Sequence, residues 1–156
     1  MITIRQVFYS KREDQRILEA CLRDWFRIPK DLNLTSPNMK YPFDFKKWVA
    51  GSYLKEGIST YVAKSDNWIV GHMSLAQYPE RLHIFHLIVD SKQRGKGIGK
   101  KLIEYGIGYA KKKNYKKVTL RVAQKNENAI KLYERFGFSV TGIKDTSYEM
   151  ELDLNS

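Results

Sequence analysis

Apolar positions along the chain follow either the two-residue period of strands or the longer period of helices. Turn residues separate these segments into one continuous series of elements. The pattern predicts strands at 2–8, 59–64, 68–77, 82–89, 118–122, 138–143 and 146–154, and helices at 12–26, 43–55, 101–113 and 126–136. We therefore expect a single α/β domain over residues 1–156, with a mixed sheet of six or seven strands flanked by about four helices.

Local signals predict how some of these elements are connected. Ser10 and Glu13 have the spacing of a capping box at the start of the first helix. The segment 28–42 contains three prolines and no period, so it is predicted to be a long functional loop. Asp66 and Asn67 favour a turn that joins two strands as a hairpin.

The most informative stretch is the loop between the strand at 82–89 and the helix that begins near residue 101. Its sequence is Gln93-Arg94-Gly95-Lys96-Gly97-Ile98-Gly99-Lys100, with glycine at alternate positions. Glycine permits tight turns and lets successive backbone N–H groups converge on an anion. The helix N-terminus and the basic side chains add positive potential. The loop is thus predicted to bind a phosphate group.

Two common phosphate-binding motifs do not fit this loop. A Walker loop requires Gly-x-x-x-x-Gly-Lys followed by Ser or Thr, and the sequence has no such run. The dinucleotide-binding fingerprint places its third glycine three residues after the second, whereas Gly99 follows Gly97 by two. Both nucleotide-binding interpretations are therefore disfavoured.

The loop instead matches the pattern Arg/Gln-x-x-Gly-x-Gly/Ala through Arg94, Gly97 and Gly99. A second segment, from Asn126 to Phe138, has the order Asn-x-x-Ala-x-x-Leu-Tyr-Glu-x-x-Gly-Phe. Together these motifs resemble those of the GNAT acyltransferase superfamily, in the superfamily's order and over the C-terminal half of the chain. The resemblance implies the GNAT fold, acetyl-CoA as the acyl donor, and transfer of its acetyl group to an amine.

The resemblance also implies which residues contact the cofactor. Loop amides are expected to bind the pyrophosphate of coenzyme A, and Asn126 is expected to contact its pantetheine arm. The expected cofactor-binding residues are Leu87, Ile88, Val89, Arg94, Gly95, Lys96, Gly97, Ile98, Gly99, Lys100, Asn126 and Tyr133. Tyr133 matches the tyrosine that directs its hydroxyl at the thioester sulfur in GNAT enzymes, so it is the expected general acid.

The general base is less well defined by the resemblance. Ribosomal-protein N-terminal acetyltransferases carry a glutamate where this chain has Arg121, and a guanidinium does not accept a proton at neutral pH. Histone-type members place a glutamate where this chain has His83, and an imidazole with an ordinary pKa near 6.5 is able to act as a base. His86 is a second candidate and Glu80, acting through a water, is a third. No motif supports His72.

Composition indicates the cellular compartment of the protein but does not indicate its substrate. The formal net charge of +11 attracts polyanions in general, coenzyme A included. Cys21 is the only cysteine, and the sequence has neither a long apolar run nor a signal-type N-terminus. We therefore expect a cytoplasmic protein. Its histidines and cysteine are too scattered for a metal site.

These features favour an acetyl-CoA-dependent N-acetyltransferase that acts on a primary amine of a small molecule, or on a protein N-terminus or lysine. The alternative is a non-catalytic basic module that senses acyl-CoA or binds nucleic acid on a GNAT scaffold. We expect neither nucleic acid nor membrane as a partner, and a monomer or homodimer. Polycationic acceptors are disfavoured unless acidic residues such as Asp31, Asp44 or Glu80 line the groove.

Overall fold

The computed structural model describes residues 1–155, and these form seven strands and five α-helices around one sheet. In chain order the elements are β1 (Ile2–Val7), α1 (Arg12–Trp25), α2 (Pro29–Thr35), α3 (Phe45–Gly51), β2 (Ile58–Ser65), β3 (Trp68–Gln77), β4 (Arg81–Val89), a 3-10 turn (Ser91–Gln93), α4 (Ile98–Lys112), β5 (Lys117–Ala123), α5 (Glu127–Arg135), β6 (Ser139–Lys144) and β7 (Ser147–Asp153). No helix in this part of the chain is long and apolar enough to cross a membrane.

The sheet has the strand order β1-β2-β3-β4-β5-β7-β6. Only β4 and β5 are parallel, and the other neighbouring strands pair antiparallel. The predicted mixed sheet is confirmed, with seven strands. The parallel pair is where the chain crosses over the sheet through α4, as a parallel connection requires.

The parallel pair β4 and β5 is short. Its register runs from Arg81 opposite Lys117 to Ile84 opposite Leu120, and both strands continue beyond it without pairing to each other. On its other side, β4 pairs with β3 along its length, interrupted by one irregularity between His72 and Ser74 of β3. The sheet therefore parts between β4 and β5 next to the loop that leads into α4.

Helices cover the two faces of the sheet unequally. Tyr61 and Ala63 of β2 lie in a core with α4 and α5, whereas Val62 packs against α1 on the opposite face, as the alternation of side chains along a strand requires. The residue Gly106 allows α4 to lie close to β4, since an added Cβ would be 3.1 Å from Ile84 Cδ1. The segment from α1 to α3 builds an aromatic cluster around Trp48 on the other face.

Three local predictions were wrong, each for a physical reason. The predicted loop at 28–42 contains α2, which begins at Pro29, a residue well suited to the first turn of a helix. The predicted helix at 43–55 ends at Gly51, where the Ser52 hydroxyl bonds the carbonyl of Trp48. Ser10 forms no capping box, because the N-cap of α1 is residue 11 and carries no side-chain cap.

Candidate active site

The glycine loop between β4 and α4 forms one side of the candidate site. Gly95 and Gly97 have positive φ angles of 81° and 78°, which glycine adopts readily and other residues adopt at a cost. Gly97 is the N-cap of α4, and no side chain caps the helix. A Cβ built on either glycine meets no atom within 4 Å. The first N–H groups of α4 have no partner within the helix, and the space beside both glycines is open to an anion.

A cavity of about 640 Å³ lies between this loop, the end of β4 and α5. It is lined by Val89, Gln93, Arg94, Gly95, Gly97, Ile98, Gly99, Lys100, Asn128, Leu132, Arg135 and Phe136. The loop residues among them, together with Val89, were predicted to bind the cofactor. The cavity thus combines backbone donors on one side with apolar side chains on the other, as a ligand with a charged end and a less polar arm requires.

Other predicted cofactor-binding residues lie outside the cavity lining. Ile88 is buried on the opposite face of the sheet, in the aromatic cluster beside α3, and Leu87 packs partly buried against the core beneath α4. Lys96 Nζ donates a hydrogen bond to Gln93 Oε1 at 2.9 Å. Asn126 is the N-cap of α5, but its side chain does not cap the helix. Of the residues predicted to bind the cofactor, those of the loop lie in the cavity lining more often than the side chains around it.

The contribution of α5 to the cavity was not predicted from the sequence. Asn128, Leu132, Arg135 and Phe136 line the cavity, and their spacing places them on one side of the helix. That periodicity is visible in the sequence. The residues were not predicted because the family motif implies roles only for Asn126 and Tyr133 in this segment.

Arg94 forms an ion pair with a buried carboxylate. Arg94 Nη2 lies 2.8 Å from Asp31 Oδ1, and the Asp31 side chain is only 6% exposed. This ion pair ties α2 to the glycine loop. Lys100 lines the cavity from the first turn of α4, and Arg135 lines it from the last turn of α5, so both cations lie where an anionic ligand would enter.

Tyr133 is the buried residue of α5, one position along the chain from Leu132 of the cavity lining. Its ring is buried and packs edge to face against Phe138, with 6.0 Å between ring centroids. Burial raises the pKa of the Tyr133 hydroxyl above its ordinary value. The hydroxyl has no hydrogen-bond partner within the described residues. Tyr133 therefore carries a protonated hydroxyl throughout the neutral pH range.

His83 lies on β4 at the level where β4 and β5 are still paired. Its Nδ1 is 2.8 Å from Thr119 Oγ1, and the same oxygen accepts a hydrogen bond from Arg81 Nη1 at 3.1 Å. Burial, with smaller effects from the nearby cations of Arg81 and Arg121, lowers the pKa of His83 to about 4. The ring is therefore neutral at physiological pH, with one nitrogen held by Thr119.

His86 has a different environment and is a poor candidate for the base. It adopts a positive φ of 50°, and its ring stacks on Trp48 with 3.7 Å between centroids. Its Nδ1 is buried without a hydrogen-bond partner. Burial, with a smaller effect from His72, lowers the pKa of His86 to about 3.

Arg121, which replaces the glutamate of related enzymes, and Glu80, the third candidate for the base, are both engaged in ion pairs. Arg121 Nη2 lies 3.9 Å from Glu149 Oε1 on β7, directly across the strand pair. Glu80 precedes β4, at the end of the strand farthest from the glycine loop, and pairs with Lys116 at 3.0 Å. Residues 1–155 contain no group of three or more side chains arranged to hold a metal ion.

Comparisons with known proteins identify the fold and the family. The model of the Acetyltransferase (GNAT) family matches residues 19–138. Human N-acetyltransferase 8B is 34% identical over 101 residues, which cover 60% of this chain and 44% of the relative. The chain therefore spans less than half the length of that relative. These matches give no support to the alternative of a non-catalytic binding module.

Solved structures share the fold along nearly the whole chain. A domain from Methanocaldococcus jannaschii superposes with a TM-score of 0.80 at 23% identity, covering 99% of both chains. The PaiA N-acetyltransferase from Thermoplasma acidophilum, solved in complex with coenzyme A, gives a TM-score of 0.74 at 21% identity, covering 98% of this chain and 99% of that one. At these identities the likeness establishes the fold.

The glycine loop generates a direct prediction. We expect Gly97→Ala to weaken binding of coenzyme A, the ligand implied by the sequence motifs, by about tenfold or more. Alanine at a positive φ costs about 1–2 kcal/mol and turns the loop amides away from their present directions. Calorimetric titration measures the affinity.

Gly108→Ala is the matched control, because Gly108 lies on the same helix and an added Cβ there meets nothing within 4 Å. The control should bind coenzyme A as the parent protein does. Equal affinity of both variants would contradict the assignment of the loop.

Proposed function

The chain belongs to the acetyltransferase (GNAT) family, and from this premise we propose that it is an acetyl-CoA-dependent N-acetyltransferase. The acceptor in this proposal is a primary amine of a small molecule, or of a protein N-terminus or lysine. The cavity between the glycine loop and α5 is the observation that carries the proposal. Val89, which lines it, lies in the part of β4 that does not pair with β5.

The residues of the cavity fit coenzyme A by their chemistry. The loop amides from Gly95 to Lys100 and the Lys100 ammonium suit a pyrophosphate, which is recognised by N–H groups at helix N-termini. Val89, Leu132 and Phe136 suit the less polar arm of the cofactor. The fit is supported by the open space at both positive-φ glycines, since nothing in the protein occupies the region in front of them.

Acetyl transfer requires three catalytic functions of the protein. The thioester of the cofactor supplies an activated acetyl group. The chain must accept a proton from the attacking amine, stabilise negative charge at the carbonyl oxygen and donate a proton to the departing sulfur. We assign proton donation to the sulfur to Tyr133, because its hydroxyl remains protonated and has no competing hydrogen bond.

We assign acceptance of the proton from the attacking amine to His83. In this assignment Nδ1–H donates to Thr119 Oγ1, which leaves the unprotonated Nε2 to accept the proton. Arg81 and Arg121 favour the neutral ring electrostatically. A pKa near 4 makes His83 a weaker base than an ordinary histidine, but one that is unprotonated at every physiological pH.

The surroundings of the acidic residues support a monoamine rather than a polycation as acceptor. Each of the acids that were expected to attract a polycation already has a partner. Asp31 pairs with Arg94, Asp44 accepts a hydrogen bond from the backbone N–H of Lys47, and Glu80 pairs with Lys116. With a net charge of +11, the protein repels polyamines over the Debye length at physiological salt.

Release of free thiol from acetyl-CoA in the presence of amines tests the proposed function, and Tyr133→Phe tests the mechanism. We expect thiol release to require an amine, with monoamines preferred over spermidine. Tyr133→Phe should lower kcat by about 10²- to 10⁴-fold, the range for a positioned acid, while affinity for coenzyme A is retained.

Tyr109→Phe is the matched control, since it removes a hydroxyl that only bonds Gln77 on the surface. This control should keep full activity. The absence of amine-dependent thiol release from the parent protein with any amine of the panel would contradict the proposed function. Full activity of Tyr133→Phe would contradict the role of Tyr133 alone.

The pH dependence of kcat tests His83. A base must be deprotonated to act, and a lowered pKa keeps it so as the pH falls. We therefore expect kcat to stay level from pH 8 to about pH 5 and to fall only towards pH 4, the pKa of His83 in the fold. His83→Ala should lower kcat across the whole range. A break in the parent profile near pH 6.5, where an ordinary histidine titrates, would contradict this assignment.

A further inference from the structure

A chain of buried hydrogen bonds runs from α3 to β4 on the face of the sheet opposite the cavity. Trp48 Nε1 donates to Tyr53 Oη at 2.9 Å, Tyr53 Oη lies 2.7 Å from His72 Nε2, and His72 Nδ1 lies 2.7 Å from the carbonyl oxygen of His86. The two ends of this chain determine which group donates in each hydrogen bond, because the Trp48 indole only donates and the His86 carbonyl only accepts. Tyr53 therefore donates to His72 Nε2, and His72 donates from Nδ1 to His86.

This chain of hydrogen bonds ends on an irregular point of β4. The register between β3 and β4 passes from His72 opposite Ile88 to Ser74 opposite Phe85, so β4 has one extra residue here. His86 adopts its positive φ within this bulge. Its own imidazole Nδ1 has no partner, so His72 holds the bulge through the His86 carbonyl and Trp48 holds it through ring stacking at 3.7 Å.

The hydrogen bond from His72 to the His86 carbonyl also fixes the direction of the Leu87 N–H. A trans peptide unit is planar, and its N–H points opposite to its C=O. The only cis peptide bond in the described residues is Tyr41-Pro42, so the peptide between His86 and Leu87 is trans. Its carbonyl is directed at His72, and the Leu87 N–H is therefore directed away from His72. Leu87 lies in the part of β4 that no longer pairs with β5.

We propose that His72 is a positioning residue, which keeps the Leu87 N–H aimed at the carbonyl oxygen of a thioester lying between the parted strands. The inference rests on the proposed acetyl transfer. In that step the amine nitrogen bonds to the carbonyl carbon, the carbon–sulfur bond breaks, and the sulfur leaves as a thiol. Negative charge develops at the carbonyl oxygen, where an already oriented N–H donor is most effective.

The properties of His72 suit this role. It is 1% exposed, and burial lowers its pKa to about 4, so it does not change its protonation state near neutral pH. Both ring nitrogens are engaged, one with Tyr53 and one with His86. The ring is thereby fixed in position and tautomer, as a group that orients another donor must be.

Two substitutions of His72 separate positioning from packing. His72→Phe keeps a ring but removes the donor to His86, and His72→Asn keeps an N–H donor at nearly the same distance from the main chain. We expect His72→Phe to lower kcat by about 10- to 10³-fold, up to the range measured for loss of an oxyanion donor. His72→Asn should recover most of this loss. Affinity for free coenzyme A, which has no acyl carbonyl, should change by less than about twofold in both.

Thr60→Val is the matched control for loss of a buried hydrogen bond. Thr60 Oγ1 bonds Ser74 Oγ at 2.9 Å on the neighbouring strands, in a buried pair that is not part of the hydrogen-bond chain through Tyr53 and His72. The control should lower the melting temperature with little change in kcat. Thermal unfolding of all variants shows whether each is folded at the temperature of the assay.

The outcomes distinguish this inference from the proposed function. Unchanged kcat in folded His72→Phe, equal losses in His72→Phe and His72→Asn, or an equal loss in Thr60→Val would each overturn the positioning role while leaving acetyl transfer intact. A parent protein that releases no thiol from acetyl-CoA with any amine would overturn both. Loss in His72→Phe with recovery in His72→Asn is the result that supports the inference.

Discussion

The parting of β4 and β5 is the feature on which the rest of the site depends. Parallel pairing stops at Ile84 and Leu120, although both strands continue. Beyond this point the backbone N–H and C=O groups that face the gap have no partner in the other strand, and such groups are costly to leave without hydrogen bonds. An extended ligand arm with amide groups is able to supply those hydrogen bonds. The opening is therefore consistent with the proposed binding of coenzyme A, whose arm is long and carries amide groups.

Several contacts hold this opening in place from both faces of the sheet. On one face, Gly106 lets α4 pack closely over Ile84 at the last paired position. On the other, Trp48 stacks on His86 and His72 binds its carbonyl. The ion pair of Arg94 with the buried Asp31 fixes the loop to α2. The helices α2 and α3 thus support the cofactor side of the site, although their sequences match neither family motif.

The sequence allowed the fold and the glycine loop to be predicted because both depend on local pattern. Alternating glycines between a strand and a helix predict an anion-binding loop from local sequence. The position of His86 depends instead on a bulge, and a single extra residue in a strand reverses the faces of the side chains after it. Its stacking on Trp48 joins segments about 40 residues apart, so no local pattern predicts it. The same applies to His72, whose importance comes from the strand register with β4.

Amide hydrogen exchange with and without coenzyme A tests most directly whether the cofactor occupies the opening between β4 and β5. The account predicts slower exchange for the amides of Gly95 to Lys100 and for those of β4 from Phe85 to Val89, in the unpaired part of the strand. Exchange in α1 and α3, on the opposite face, should be unaffected. Protection confined to α1 and α3, or no protection of β4 beyond Ile84, would contradict the account.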